Sequence, residues 1–205
     1  MPDITWRSQC KLIPLTRFYY HTRIYFMKNT PTSDPAISAN VIDMLTVANE
    51  FCLFTEKAEK YNPDEVLQYY AKICPLLYLK GAILPVVEPD EDYLGERFVN
   101  EDQWESIYNS LLTVFPGNDD FYTLSYENTD NVPLKASISE HLADVYQDLK
   151  DFVLLYQKNL SYAKQNAVYE CRSLFISHWG ARIAALLPAI HALAFPAQQD
   201  DELMF

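Results

Sequence analysis

Glycine is scarce in this sequence: 205 residues hold only 4, standing singly at Gly81, Gly95, Gly117 and Gly180. A dinucleotide-binding fingerprint or a P-loop needs clustered glycines to bring backbone amides against phosphate, so both are excluded. The shortage also argues against an all-β fold with many tight turns and leaves a helical protein as the expectation. The 4 cysteines, Cys10, Cys52, Cys74 and Cys171, lie far apart, with no CxxC and no Cys/His pair at zinc spacing. They are expected to be small buried hydrophobes in a reducing, cytoplasmic protein. No apolar run reaches the roughly 18 residues that span a bilayer. The nearest, Ala181 to Phe195, is interrupted by Arg182, Pro188 and His191, so no membrane span is expected. A nucleophile elbow, an HExxH motif and a Glu-x-x-His pair are also missing. Serine or cysteine hydrolase chemistry and a ferritin-type di-iron site therefore have no support, and no cofactor is expected.

What is present is ample apolar content, 49% of residues, and an excess of acid: 28 Asp and Glu against 16 Lys and Arg, for a net charge of −12. That composition makes a globular domain. The charge is uneven. Residues 1 to 28 carry five basic side chains, Arg7, Lys11, Arg17, Arg23 and Lys28, and one acid, Asp3, whereas the rest carries 11 basic and 27 acidic residues, a net of −16. Trp6, Phe18, Tyr19, Tyr20, Tyr25 and Phe26 follow neither helical nor strand periodicity, and Pro14 and Arg17 cut the only apolar run that resembles an export signal. We therefore divide the chain into a basic aromatic segment over 1–32, with Met27 as an alternative start, a single helical domain over 33–196 and a flexible tail over 197–205. A strongly acidic body repels nucleic acid, so none is expected as a ligand; a basic protein partner suits it.

Five long helices are expected. The first runs from Ser38 or Asn40 to about Tyr61, with Val41, Leu45, Ala48, Phe51 and Cys52 inward. The second starts at Asn62-Pro63 and reaches about Leu84, with a kink or division near Ile73 imposed by Pro75. Between Pro85 and Phe98 the acids Glu88, Asp90, Glu91, Asp92 and Glu96 make an irregular, exposed loop. Asn100 and Gln103 form a capping box for the third helix, which carries Trp104, Ile107, Tyr108, Leu111 and Leu112 and ends at Pro116-Gly117. Asp119 to Leu134 reads as a surface connection with at most a helical turn. The fourth helix has the clearest periodicity: Ile138, Leu142, Val145, Leu149, Phe152, Tyr156 and Leu160 recur every three or four residues behind a Ser137/Glu140 capping box. The fifth runs from about Tyr162 to Phe195, bent by Pro188, with a buried end and with Gly180 admitting a close neighbour. Amphipathic helices in this order make an all-α, antiparallel bundle.

The polar residues offer three candidate arrangements. Glu140, Asp144, Asp148 and Asp151 step by 4, 4 and 3, so their carboxylates line one stripe of the fourth helix. The stripe reads first as a solvated acidic face. An internal arginine is the second reading, with Arg182, alone in an apolar stretch, paired to Asp144 or Asp148. A divalent metal on Glu140, Asp144 and Asp148 is the third, which would suit a metal-dependent phosphohydrolase, although a matching second carboxylate motif is missing. Arg172 and His178 match the Arg-x5-His pattern of helical ribonucleases, a short pattern that chance supplies easily. His178 reads instead as paired at the helix surface or with a carboxylate, and His191 as a hydrogen-bonded core histidine. Arg172, His178 and Arg182 together form a possible polar cluster.

Ala136-Ser-Ile-Ser-Glu-His-Leu-Ala-Asp-Val-Tyr-Gln-Asp-Leu-Lys-Asp-Phe152 and His178-Trp-Gly-Ala-Arg-Ile183 followed by His191 resemble an uncharacterised bacterial family, domain of unknown function five-zero-six-three. Pro75-Leu-Leu-Tyr-Leu-Lys80 and Phe98-Val-Asn-Glu-Asp102 match it too. The resemblance spans about Ile37 to Leu193 and implies an all-helical protein of a kind typical of Bacteroidetes. It implies no activity, cofactor or catalytic residue. The functional expectation is an acidic helical binding or protein-interaction module, with the metal-dependent phosphohydrolase as the alternative.

Overall fold

The computed structural model describes residues 34–124, 132–158 and 160–196. The basic N-terminal segment, the expected alternative start at Met27, Cys10 and the 197–205 tail lie outside those residues. The described chain is a bundle of six helices with one short strand pair. The helices are α1 (Ala39–Thr55), α2 (Pro63–Ala82), α3 (Glu101–Val114), α4 (Ile138–Tyr156), α5 (Ser161–Ser177) and α6 (Trp179–Ala194). No single helix among the described residues is long and apolar enough to cross a membrane.

The centre is α4, which packs against α1, α3, α5 and α6. Its periodic apolar residues from Ile138 to Tyr156 are all buried, and so are Ala143, Tyr146, Val153 and Leu155 on other sides. Leu160 falls beyond its end and is exposed. The helix is set at its N-terminus by Asp119. One carboxylate oxygen accepts from the Ser139 N–H at 2.8 Å and the Ser139 hydroxyl, and the other accepts from the Ser137 hydroxyl. Ser137 Oγ in turn accepts from the Glu140 N–H at 3.0 Å. An anionic group at the positive end of a helix, satisfying donors that have no intrahelical partner, stabilises the central element. Asp119 is brought there by β1 (Asp120–Thr123) and β2 (Leu134–Ser137), an antiparallel pair with Phe121 opposite Ala136. The expected helical turn in this region is thus a strand pair.

Several boundaries differ from the sequence expectation for local reasons. Helix α1 stops at Thr55 and a 3-10 turn at Ala58–Lys60 follows, because Ala58 is drawn into the core. Pro75 does not divide α2, which runs unbroken from Pro63 to Ala82 with the proline on its exposed side. The capping box at Asn100 and Gln103 forms in both directions.

The expected fifth helix is two. It breaks at His178, whose φ of −141° and ψ of −85° are not helical, and the two parts meet at a 49° bend. The fully buried Trp179 follows at once. Its indole N–H donates to the Cys171 carbonyl at 2.9 Å, and its ring meets Phe175 edge-on at 4.9 Å. Both glycines at this elbow are needed for space. A Cβ on Gly180 would lie 2.3 Å from the Phe175 carbonyl oxygen, and one on Gly81 of α2 would lie 2.4 Å from the Trp179 ring. The far end of α6 is covered on one side only: Ile190 is buried, whereas His191 is exposed and tilted against Phe195 at 5.2 Å, so it is not a core histidine. Gly180→Ala must open the elbow, and we expect a loss of about 1–3 kcal/mol, seen as a melting temperature roughly 2–12 °C lower. An unchanged melting curve would remove the steric account of the break.

Candidate functional site

The acidic stripe of α4 is not a solvated face. Asp148 and Asp151 are 2% and 3% exposed, Asp144 is largely covered, and only Glu140 at the N-terminal end stands in solvent. With helices on every side of α4, the stripe meets neighbours and each buried carboxylate has a cation or donors. Arg97, from the segment before α3, places Nη1 2.9 Å from Asp148 Oδ1 and 3.2 Å from Asp151 Oδ2. Asp151 Oδ1 also accepts the Phe98 and Val99 N–H groups at 2.9 Å each. His178 Nδ1 lies 2.7 Å from Asp148 Oδ2, and its Nε2 lies 3.8 Å from Asp144 Oδ2. Arg182 Nη2 is 3.0 Å from the same Asp144 oxygen, while the Trp104 indole donates to the other at 3.1 Å.

Arg182 and His178 are therefore brought to the carboxylates, and Arg172 is not; it makes no ion pair among the described residues. The Arg-x5-His pattern does not assemble. Arg97, Asp151 and Trp104 complete the network. Trp104 and Asp151 had periodic positions to mark them, while Arg97 sits in an irregular segment with no such signal. Among the described residues no group of three or more His, Cys, Asp or Glu side chains is arranged to hold a metal ion. Glu140 stands apart, and the oxygens of Asp144 and Asp148 already face cations. Cys171, close to Asp148, is buried and its thiol is pushed well above the ordinary value by that burial, so it is no nucleophile.

The network titrates in two directions. His178 is shifted upward, first by its hydrogen bond with Asp148 and then by the charges of Asp148 and Asp144, against burial and Arg182. His141, one turn before Asp144 and packed edge-on to Phe121, is lowered to about 4 by burial and then by Arg182. Among the described residues its buried Nδ1 has no hydrogen-bond partner at ordinary geometry. Burial raises Asp144 and Asp151, opposed by Arg182 at the first and by the Val99 and Phe98 amides at the second. The arrangement is a closed lattice of charges that ties α6 and the segment before α3 to the central helix.

A second acidic region is open. Between α2 and α3 the chain is irregular, yet it is pinned by buried Leu84, Val87 and Val99. The Asp90 N–H donates to Asn166 Oδ1 at 2.8 Å, and the Tyr93 N–H donates to the Asp90 carbonyl at 3.0 Å. Glu96 pairs with Lys158, whose ammonium also lies 4.9 Å from the Phe98 ring centroid. Gly95 takes a φ of +87°, a left-handed conformation that glycine adopts without strain. On this fixed loop Glu88, Glu91 and Asp92 are exposed, as are Glu101, Asp102 and Glu105 at the start of α3. None of them has an ion-pair partner among the described residues. Leu94 is 99% exposed in their midst.

Two outcomes follow from the closed network. Arg97→Met combined with His178→Leu leaves Asp148 buried without a cation and should cost about 3–5 kcal/mol; adding Asp148→Leu should restore most of it, and adding Glu140→Leu should not. Chemical denaturation of the three variants beside the native chain checks this. On pH, the stabilisation from charged His178 is fully present below the unfolded value of 6.5 and is lost as pH rises through its elevated folded value. Neutral His141 acts in the opposite sense: its contribution is present above 6.5 and is lost as pH falls toward 4. His178→Gln should thus lower stability most at about pH 6 and progressively less in alkali, while His141→Phe should remove part of the loss on the acid side, read from melting temperatures across that range.

Comparison with known proteins agrees with this architecture. The chain resembles a crystallised protein, BF1032 from Bacteroides fragilis, a structural-genomics target, at 32% identity and a TM-score of 0.71; the alignment covers 83% of this chain and 100% of that one. No curated protein matches the chain. The model of the family described as Domain of unknown function (DUF5063) matches residues 35–196, which hold both the closed network and the open loop, and the chain belongs to that family.

Proposed function

We propose that the protein is a binding module that docks a basic partner on the acidic surface formed by the 88–96 loop and the first turns of α3. The observation that carries this reading is the contrast between the two sets of acids. Inside, Asp144, Asp148 and Asp151 each meet a cation. Outside, Glu88, Glu91, Asp92, Glu101, Asp102 and Glu105 have none among the described residues, although they sit on a backbone held by Asn166, Lys158 and Asp151. Like charges gathered on a fixed surface repel one another, and a cationic partner relieves that repulsion at little ordering cost. Leu94, fully exposed at the turn, supplies an apolar contact for the centre of such an interface. Cys52, Cys74 and Cys171 are free, buried thiols, which suits work in a reducing compartment such as the cytoplasm.

The test is comparative affinity capture with the native chain and with Glu88→Lys/Glu91→Lys/Asp92→Lys. We expect a defined partner with a basic surface to be retained by the native chain, lost from the variant and released by about 0.5 M salt, where screening acts within a few ångström. Retention of the same proteins by both chains would overturn the reading.

A further inference from the structure

After exposed Asp64, Glu65 and Lys72, the outer face of α2 turns apolar toward its C-terminal end, where a surface helix is ordinarily polar. Tyr70, Ile73, Cys74, Leu77 and Gly81 face the core. On the other side Leu76 and Leu79 lie three residues apart, which aligns them along the helix, Ile83 follows as its C-cap, and they are 38%, 56% and 41% exposed. Past the helix end Val86 is 70% exposed. The chain then enters Glu88, Glu91 and Asp92, all exposed and without cations among the described residues. An uncovered apolar strip and an unmatched acidic strip thus succeed one another on one stretch of backbone, fixed between them by buried Leu84 and Val87.

Charge selects the occupant. A second copy of the chain would bring another net −12 against the first, so self-association works against like-charge repulsion. Membrane surfaces are commonly anionic and are repelled by the same acids. A segment that is apolar along one face and cationic at one end satisfies both strips at once, which is the pattern of helix-in-groove recognition. We infer that α2 and the loop after it together seat a basic amphipathic helix, its apolar face on Leu76, Leu79, Ile83 and Val86 and its Lys- or Arg-rich end against Glu91 and Asp92. The inference rests on the reading of the acidic loop as a partner site and names the class of partner.

A synthetic peptide with leucines along one helical face and lysines at one end, labelled for fluorescence anisotropy, tests it on the full chain. Leu79→Ser/Ile83→Ser and Glu91→Lys/Asp92→Lys alter only exposed positions, and melting curves establish that each variant is folded. We expect each pair of substitutions to weaken binding by about tenfold or more, and a peptide of equal composition with its leucines dispersed around the helix to bind as weakly. If the serine pair changes nothing while charge reversal abolishes binding, the α2 strip is not used and the acidic loop alone stands. If charge reversal changes nothing, both readings fall, whatever the serine pair does. Failure of the native chain to bind the peptide overturns the inference, as does a dimer of the native chain that the serine pair dissolves, because the strip would then be a self-interface.

Discussion

The bundle depends on how a helix surrounded on all sides carries three carboxylates. Helix α4 is the element against which α1, α3, α5 and α6 pack, so beyond Glu140 at its N-terminal end most of its residues leave water. Removing a carboxylate from water without compensation costs several kcal/mol, more than a domain of this size can spare twice. The compensation comes from three separate parts of the chain: Arg97 before α3, His178 at the elbow and Arg182 in α6. Each attachment fixes geometry as well as charge. Arg97 and the Phe98 and Val99 amides bring the end of the acidic loop onto the core, His178 holds the corner between α5 and α6, and Arg182 sets the depth of α6 against Trp104 and Asp144.

The elbow adds a steric constraint of its own. His178 can face Asp148 and Asp144 together only because the helix stops there, and the helix can turn there only because Gly180 leaves room for the Phe175 carbonyl. Trp179 then fills the inside of the corner, against Phe175 and over Gly81. Polar matching and close packing are thus satisfied within a few residues, and neither would survive in a straight helix over the same sequence.

Much of this was legible in the sequence, and what was not has physical causes. Periodicity finds an apolar stripe because a buried face repeats every 3.6 residues, so α4 and its core positions were readable from Ile138 to Tyr156. Periodicity does not say how many neighbours surround a helix, and the acids beside that stripe looked solvated when they were enclosed. Arg182 was conspicuous because an isolated charge in an apolar stretch needs a partner. Arg97 was not, because it lies in a segment whose other charges face water. His178 drew notice through a ribonuclease-like pattern and matters through Asp148 instead. The strands β1 and β2 are four residues each, too short for alternation to show. The helix break at His178 depends on a long-range contact with α4 that no local window contains.

Asp151 also imposes an order on synthesis. It receives the Phe98 and Val99 amides from across the sequence, 53 and 52 residues away. A ribosome completes α1, α2, the loop and α3 before it reaches the helix on which α1 and α3 pack. Until Asp151 emerges, the end of the loop has no acceptor, and the inward faces of the first three helices have only one another to cover them. The nascent half is therefore an open shell of apolar surface, the kind of intermediate that chaperones recognise, until α4 arrives fourth of the six helices and α5 and α6 close over it.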